Sequence, residues 1–170
     1  MINKLIIISL SLILLSVPGI DAQTGDRDMD VRVGLGVGNL KKESDLLLLS
    51  EYELNAKWTD YFTIAPSIIL NHGGSSDADL ASFFQANLNA FGSPLRNDRR
   101  NDFRIGGGLS FYRLNKGAFY ATRSAFGLNL IIEDSYMIND RFFIGVKAFI
   151  QPYFNKDFNS GVLLKAGINL

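Results

Sequence analysis

The sequence predicts an all-β protein, an eight-stranded antiparallel up-and-down β-barrel that crosses a membrane after a signal peptide is removed. Apolar and polar residues alternate with a period of two in eight successive segments. The last ten residues, 161–170, form such a strand, and closure of the sheet removes the edge this strand would otherwise expose. Mid-strand charges keep to one of the two faces, as a bilayer requires of the face that meets lipid, and the exceptions, Arg113 and Asp134, lie near strand ends.

The first 22 residues have the three regions of a secretory signal peptide. A basic start at Met1–Lys4 precedes the apolar run Leu5–Val17, and Ile20-Asp21-Ala22 provides a cleavage site. The alternative, an N-terminal membrane anchor, needs a longer apolar run. We therefore expect a signal peptide at 1–22 and one barrel domain at 23–170.

Composition excludes several classes of function. The chain has no cysteine, which excludes a disulfide framework and a thiolate nucleophile. The 17 basic and 17 acidic residues cancel, so there is no basic footprint for nucleic acid. Hydrophobic residues make up 47% of the chain, but after Val17 they are spread out rather than gathered into a spanning helix.

The first four strands are predicted at 29–38, 47–58, 61–71 and 80–91. Valine and leucine alternate with arginine and glycine in the first, and aromatic or aliphatic residues alternate with acids, amides or small residues in the others. Thr59-Asp60 predicts a tight turn between the second and third strands. Pro66 removes a ladder donor, which predicts a bulge in the third strand.

The last four strands are predicted at 101–113, 124–137, 141–153 and 161–170. The residues 92–100 are expected to form a long turn before them, and Ile138-Asn139-Asp140 a tight one between the sixth and seventh strands. Segments of about ten residues are long enough to cross a bilayer at a tilt. Apart from 92–100, short turns alternate with longer loops, as in barrels with short periplasmic turns and longer outer loops.

The polar face is expected to line the lumen, where glycines make room for long charged side chains. Unpaired charges are costly in a narrow interior, so we expect these charges to form a paired network that blocks conduction. The lumen network is predicted to contain Arg32, Glu51, Glu53, Lys57, Arg104, Glu133, Lys147 and Lys165. Aromatic residues on the apolar face flank the connections after strands two, four and six, which predicts an interfacial girdle. The girdle residues are Trp58, Phe62, Phe103, Tyr136 and Phe142.

The chain resembles the small eight-stranded outer-membrane β-barrels of the OmpA and OmpX type and the porin-like "outer membrane β-barrel" families. The segments VRVGLGVGNL, FRIGGGLSFYR, FFIGVKAFIQPYF and GVLLKAGINL carry the likeness. It departs at the last residue, Leu170, where these families usually have an aromatic residue that helps the assembly machinery recognise the strand. The resemblance implies the outer membrane of a Gram-negative cell, contact with its lipids and lipopolysaccharide, and assembly by the barrel-assembly machinery.

Weak candidates for chemistry lie after the third strand. His72 precedes Ser75 and Asp77, residue types that could serve as base, nucleophile and orienting carboxylate. The segment Gly-Gly-Ser-Ser-Asp is also an ordinary flexible loop. Asp77 and Asp79 alone fall short of the six to eight oxygens that Ca²⁺ takes. We therefore expect no cofactor and no metal.

Between strands five and six, cations and aromatic residues mix at Lys116, Phe119, Tyr120 and Arg123, which could contact lipopolysaccharide phosphates or a partner protein, or simply pack as a loop. The leading hypothesis is a non-enzymatic outer-membrane barrel with a structural, envelope-integrity or surface-interaction role and no open pore. The alternatives are a lipid-modifying acyltransferase or deacylase at the outer rim, and a secreted, soluble, lipocalin-like barrel that binds a small ligand.

Overall fold

The computed structural model describes residues 29–40, 46–74, 82–97, 100–115 and 122–170. The predicted signal peptide lies outside them and stays a prediction. The eight strands are β1 Met29–Leu40, β2 Leu46–Thr59, β3 Phe62–Gly74, β4 Ser82–Asn97, β5 Asn101–Asn115, β6 Arg123–Met137, β7 Phe142–Pro152 and β8 Phe158–Asn169. Among the described residues no helix is long and apolar enough to cross a membrane.

The strands form a closed barrel in chain order, so the predicted fold class is confirmed. Every neighbouring pair is antiparallel, and β1 closes the barrel against β8 from Asp30 opposite Asn169 to Leu40 opposite Asn159. Connections of two to four residues at 60–61, 98–100 and 138–141 share one end of the barrel, here named the turn end. The other four connections share the opposite end, the loop end. Short turns are typical of the periplasmic side, which gives the barrel its orientation.

The apolar phase of the strands faces outwards. Leu35, Leu109 and Leu164 are 60 to 69% exposed although they lie mid-strand. The opposite phase is buried and mostly polar, with arginine, lysine, glutamate, asparagine and glutamine at 6% exposure or less. A soluble ligand-binding barrel would place its apolar face inside, so the lipocalin-like alternative is wrong.

The predicted bulge at Pro66 is absent. Glu53 pairs with Ser67 and Ala56 pairs with Ile64, so the β2–β3 register is the same on both sides of the proline. Between these two pairs the β2–β3 ladder lacks pairing opposite Pro66, and β4 still pairs there through Leu88. The missing N–H therefore removes local pairing without inserting a residue. The register shifts in this sheet pair lie near the strand ends instead, at Leu47/Leu49 and Lys57/Thr59.

The predicted long turn at 92–100 is also wrong, because β4 continues to Asn97 and pairs there with Asn101 of β5. Gly92 and Pro94 look like turn residues in the sequence. In the barrel they belong to a register shift between Gly92 and Leu95, after which pairing resumes at Leu95 opposite Phe103. A bulge accommodates the proline, and all three connections at the turn end are short.

Candidate functional site in the barrel lumen

Glu133 is the centre of the charged layer in the lumen. This β6 carboxylate is fully buried and accepts hydrogen bonds from cations of three other strands. Arg32 of β1 donates through Nη1, Arg104 of β5 donates through Nη2 at 2.6 Å, and Lys165 of β8 donates through Nζ at 3.2 Å. One side chain thus joins strands on opposite sides of the barrel.

Two glutamates of β2 complete the layer. Lys147 of β7 donates to Glu51 Oε1 at 2.6 Å and to Glu53 Oε2 at 2.8 Å. Lys165 donates to Glu53 Oε1 at 2.7 Å and lies 3.3 Å from Glu51 Oε2. Lys147 therefore bridges two carboxylates and Lys165 contacts three, since it also reaches Glu133, and these contacts satisfy most donors of the two buried ammonium groups.

Asp30 belongs to the network but was missed in the sequence. It is 1% exposed and receives Arg32 Nε at 2.6 Å and Nη2 at 3.0 Å, a bidentate pair on β1 itself. Its position on the polar phase, two residues before Arg32, was the available signal. With Asp30 the layer holds four carboxylates and four cations. The members are Asp30, Glu51, Glu53, Glu133, Arg32, Arg104, Lys147 and Lys165.

Lys57 does not join the network, which corrects its prediction. The side chain is half-buried and makes no ion pair with any residue in the described ranges. It lies two residues from the end of β2, so it has the correct face but sits at the rim of the lumen. Alternation gives the face of a residue and not its depth along the barrel axis.

Aromatic rings cover the guanidinium groups. Arg32 Cζ lies 4.3 Å from the centroid of Phe143, and Arg104 Cζ lies 4.6 Å from that of Phe91. Phe91 and Phe143 are themselves buried inside the barrel. Cation–π contact stabilises each guanidinium and the rings occupy the space that water would need.

Uncharged polar side chains fill the lumen beyond the charged layer, towards the loop end. Gln85 donates to Asn87 at 2.7 Å, and Asn159 donates to Gln85 and Gln151 at 3.2 and 3.0 Å. The phenol of Tyr153 donates to Gln85 at 2.9 Å. The lumen is occupied here by interlocked amides.

A tyrosine–aspartate cluster closes the lumen at the loop end. Tyr112 donates its phenol to Asp157, and its ring meets that of Tyr153 edge-on at 4.5 Å. Asn155 donates to Asp157 Oδ2 at 2.7 Å, and Arg123 Nε lies 3.1 Å from the same oxygen. Arg123, predicted as a surface contact, is thus an ion-pair partner at the mouth of the lumen. Lys116, Phe119 and Tyr120 lie outside the described residues.

The predicted girdle residues lie around the turn end, on the outward phase. Trp58 is 76% exposed, while Phe62, Tyr136 and Phe142 are 42 to 47% exposed. Phe103 is half-buried on the same outer face. Sequence reasoning missed a second set of outward aromatic rings at the loop end, formed by Phe84, Phe111, Phe126 and Phe154. These four rings could have been predicted from the sequence, because they lie on the same apolar phase as the girdle residues, at the other end of the strands.

His72 has a serine partner, but not the predicted one. Its Nε2 lies 2.6 Å from the hydroxyl of Ser50 on β2, whereas Ser75 and Asp77 lie outside the described residues. Ser50 is 1% exposed, and β2 is paired on both sides of it, to Leu35 and Leu70. Ladder pairing occupies the backbone N–H groups that an oxyanion hole would need. The contact therefore satisfies a buried hydroxyl on the outer wall.

Comparison with solved structures identifies the architecture. The N-terminal barrel domain of Pseudomonas aeruginosa OprF superposes with a TM-score of 0.64 at 15% sequence identity, covering 83% of this chain and 97% of that one. Neisserial surface protein A gives a TM-score of 0.65 at 9% identity, with 84 and 96% of the two chains covered. The chain has the fold of the small outer-membrane β-barrels.

Another small outer-membrane barrel with this fold is Ail, the attachment invasion locus protein of Yersinia pestis, solved in complex with the heparin analogue sucrose octasulfate. It matches with a TM-score of 0.64 at 11% identity, over 82% of this chain and 96% of that chain. No protein-family model and no curated protein matches the sequence. The fold, the apolar outer wall and the aromatic residues at its rim place this protein in the outer membrane of a Gram-negative cell.

Proposed function

We propose that the protein is a non-conducting, non-enzymatic outer-membrane barrel that acts through its outer wall and loops, in envelope integrity or surface interaction. The filled lumen is the observation that carries this proposal. Four buried carboxylates and four buried cations join strands across the interior, and amides and tyrosines occupy the space above them. Opening an ion path would separate buried charge pairs, at about 3 to 5 kcal/mol for each partner left alone.

The outer wall and the loop end are then the surfaces left for function. We expect the wall to contact membrane lipids and lipopolysaccharide, and the barrel-assembly machinery to act during biogenesis. Which protein partner the loops meet is a question for cross-linking in intact cells. Ail, the neighbour solved with a polysulfated sugar, supports the idea that a barrel of this size can present a surface to an anionic ligand.

Two measurements on the full chain test this proposal. The purified barrel in planar bilayers is expected to give no stable conductance steps, and steps that persist across preparations would contradict the closed lumen. A deletion strain is expected to become more permeable to detergents and large antibiotics, with recovery when the chain is restored. Unchanged permeability in the deletion strain would count against a role in envelope integrity.

The Ser50–His72 contact is the one observation that favours the alternative of a lipid-modifying enzyme at the outer rim. Ser50 is buried and its strand is paired on both sides, which argues against attack of its hydroxyl on a substrate. The enzyme alternative therefore ranks second.

A further inference from the structure

The aromatic set at the loop end includes a continuous row across neighbouring strands. Phe111 of β5 and Phe126 of β6 are direct cross-strand partners, with ring centroids 4.9 Å apart. Phe126 O accepts the backbone N–H of Phe154 at 2.9 Å, which places the third residue beside the second. Phe126 and Phe154 are 63 and 74% exposed. The row is an apolar surface on the outside of the barrel.

The row lies at the outer boundary of the membrane. On β6, Phe126 is ten residues from the girdle residue Tyr136. At about 3.3 Å per residue and a tilt of about 40°, these two residues are about 25 Å apart along the membrane normal, the height of the apolar band of such barrels. Residues beyond the row, towards the loop end, therefore lie at the level of lipid headgroups.

Among the described residues, two exposed cations lie at that level. Arg113 is the next outward residue after Phe111 on β5, exposed, with Phe84 and Ser124 as its cross-strand partners. Lys156 is exposed in the β7–β8 turn, two residues after Phe154, in the left-handed conformation at φ 67°. Neither side chain makes an ion pair with a residue in the part of the chain that the structure describes. Asp157, the nearest acid in sequence, is buried and held by Tyr112 and Arg123.

We propose that Phe111, Phe126, Phe154, Arg113 and Lys156 form a binding site for the phosphorylated glycolipid of the outer leaflet, lipopolysaccharide. The acyl chains pack on the phenylalanine row, and the phosphates contact the two cations. Charge complementarity favours this occupant, because both cations are exposed, have no counter-ion among the described residues, and lie at a height where lipid phosphates lie. The site deepens the proposed function by naming the partner of one part of the outer wall, and it rests on that proposal.

The test measures lipopolysaccharide binding to the full barrel in micelles by thermophoresis, with dephosphorylated lipopolysaccharide as the matched ligand. Each cation near an anionic surface contributes about fivefold in affinity, so the double variant Arg113→Gln/Lys156→Gln should bind about thirtyfold more weakly. The control Arg100→Gln/Arg141→Gln removes two exposed cations at the turn end and should bind as the parent does. Dephosphorylated lipopolysaccharide should bind the parent weakly.

Equal lipopolysaccharide binding by the parent and by Arg113→Gln/Lys156→Gln would overturn the site. An equal loss of binding in the turn-end control would also overturn it, because it would show that any exposed cation attracts the ligand nonspecifically. Phe126→Ala should weaken binding without changing its dependence on phosphate, and no loss would remove the row from the site. A heat-modifiability gel on each variant shows that the barrel is folded. Conductance measured on the same preparations tests the closed lumen separately, so failure of the site and failure of the proposed function are distinguishable.

Discussion

Lys147 and Lys57 face the same interior but have different surroundings. Lys147 is 1% exposed and bridges Glu51 and Glu53, with Phe91 5.8 Å from its ammonium group. Lys57 is half-buried at the rim and has no ion pair within the described ranges. When one partner of a buried ion pair is lost, the other charge stays buried without compensation. When a cation at the rim is lost, water can solvate the neighbouring polar groups.

We therefore expect Lys147→Met to lower the free energy of unfolding by about 3 to 5 kcal/mol. Lys57→Met, the matched control from the same barrel face, should change it by less than about 1 kcal/mol. Urea titration of the refolded barrel in micelles, followed by the heat-modifiability gel, measures both. Equal effects of the two substitutions would show that depth in the lumen does not decide the contribution of a charge.

His72 offers a second test at the level of single residues. If its contact with Ser50 only satisfies a buried hydroxyl, His72→Ala should leave the lipid profile of the envelope unchanged and cost about 1 to 3 kcal/mol of stability. Lipids are extracted from deletion cells that carry either the parent protein or His72→Ala, and mass spectrometry compares their profiles. This comparison distinguishes a structural role of His72 from a catalytic one. A product that disappears with both His72→Ala and Ser50→Ala would establish the enzyme alternative.

At the level of elements, the glycines of β5 show how closely the wall packs on itself. A Cβ at Gly108 would lie 2.1 Å from Leu88 O and 2.8 Å from Asn89 Cα, both backbone atoms of β4. A Cβ at Gly107, one residue earlier and on the outer face, would approach Asn129 O at 3.2 Å and Leu130 Cδ2 at 3.8 Å. Gly108, on the inner face, leaves no room for a methyl group. Gly107, on the outer face, leaves almost enough room for one.

Gly108→Ala should thus destabilise the barrel by about 1 to 3 kcal/mol, the usual range for overpacking, or prevent refolding. Gly107→Ala should fold with nearly the stability of the parent. The yield of heat-modifiable barrel and its urea midpoint report on both variants. A fully stable Gly108→Ala barrel would mean that β4 and β5 separate more easily than their close contact indicates.

The elements themselves were largely predictable, because one face of every strand is apolar and a shift by one residue would reverse the faces. The predictions failed where local composition and pairing disagree. Gly92 and Pro94 indicate a turn, yet pairing with β5 extends the strand past them. The partners in the lumen, such as Arg32 and Glu133 at 101 residues apart, depend on how strands are staggered around the barrel, which no single segment specifies.

The whole molecule is a barrel with a polar, filled interior and an apolar exterior bounded by aromatic residues at both ends. A soluble protein has the opposite arrangement, with apolar residues inside and polar residues outside. The barrel is therefore stable only where lipid surrounds its wall. Both rims carry outward aromatic rings with exposed cations near them: Trp58 and Phe62 with Arg100 and Arg141 at the turn end, and the phenylalanine row with Arg113 and Lys156 at the loop end. Aromatic rings and cations at both ends are typical of the two interfaces of a membrane-spanning wall.

The most direct test of this account is the fluorescence of Trp58, because the chain has a single tryptophan and its side chain is 76% exposed on the outer wall at the turn end. In vesicles, lipids brominated near the headgroup should quench its emission more than lipids brominated near the acyl ends, and aqueous iodide should have little effect. Leu88→Trp in a Trp58→Phe background places the probe mid-wall and should reverse the order of the two lipids. Strong iodide quenching without lipid quenching would mean that the apolar face does not meet the membrane.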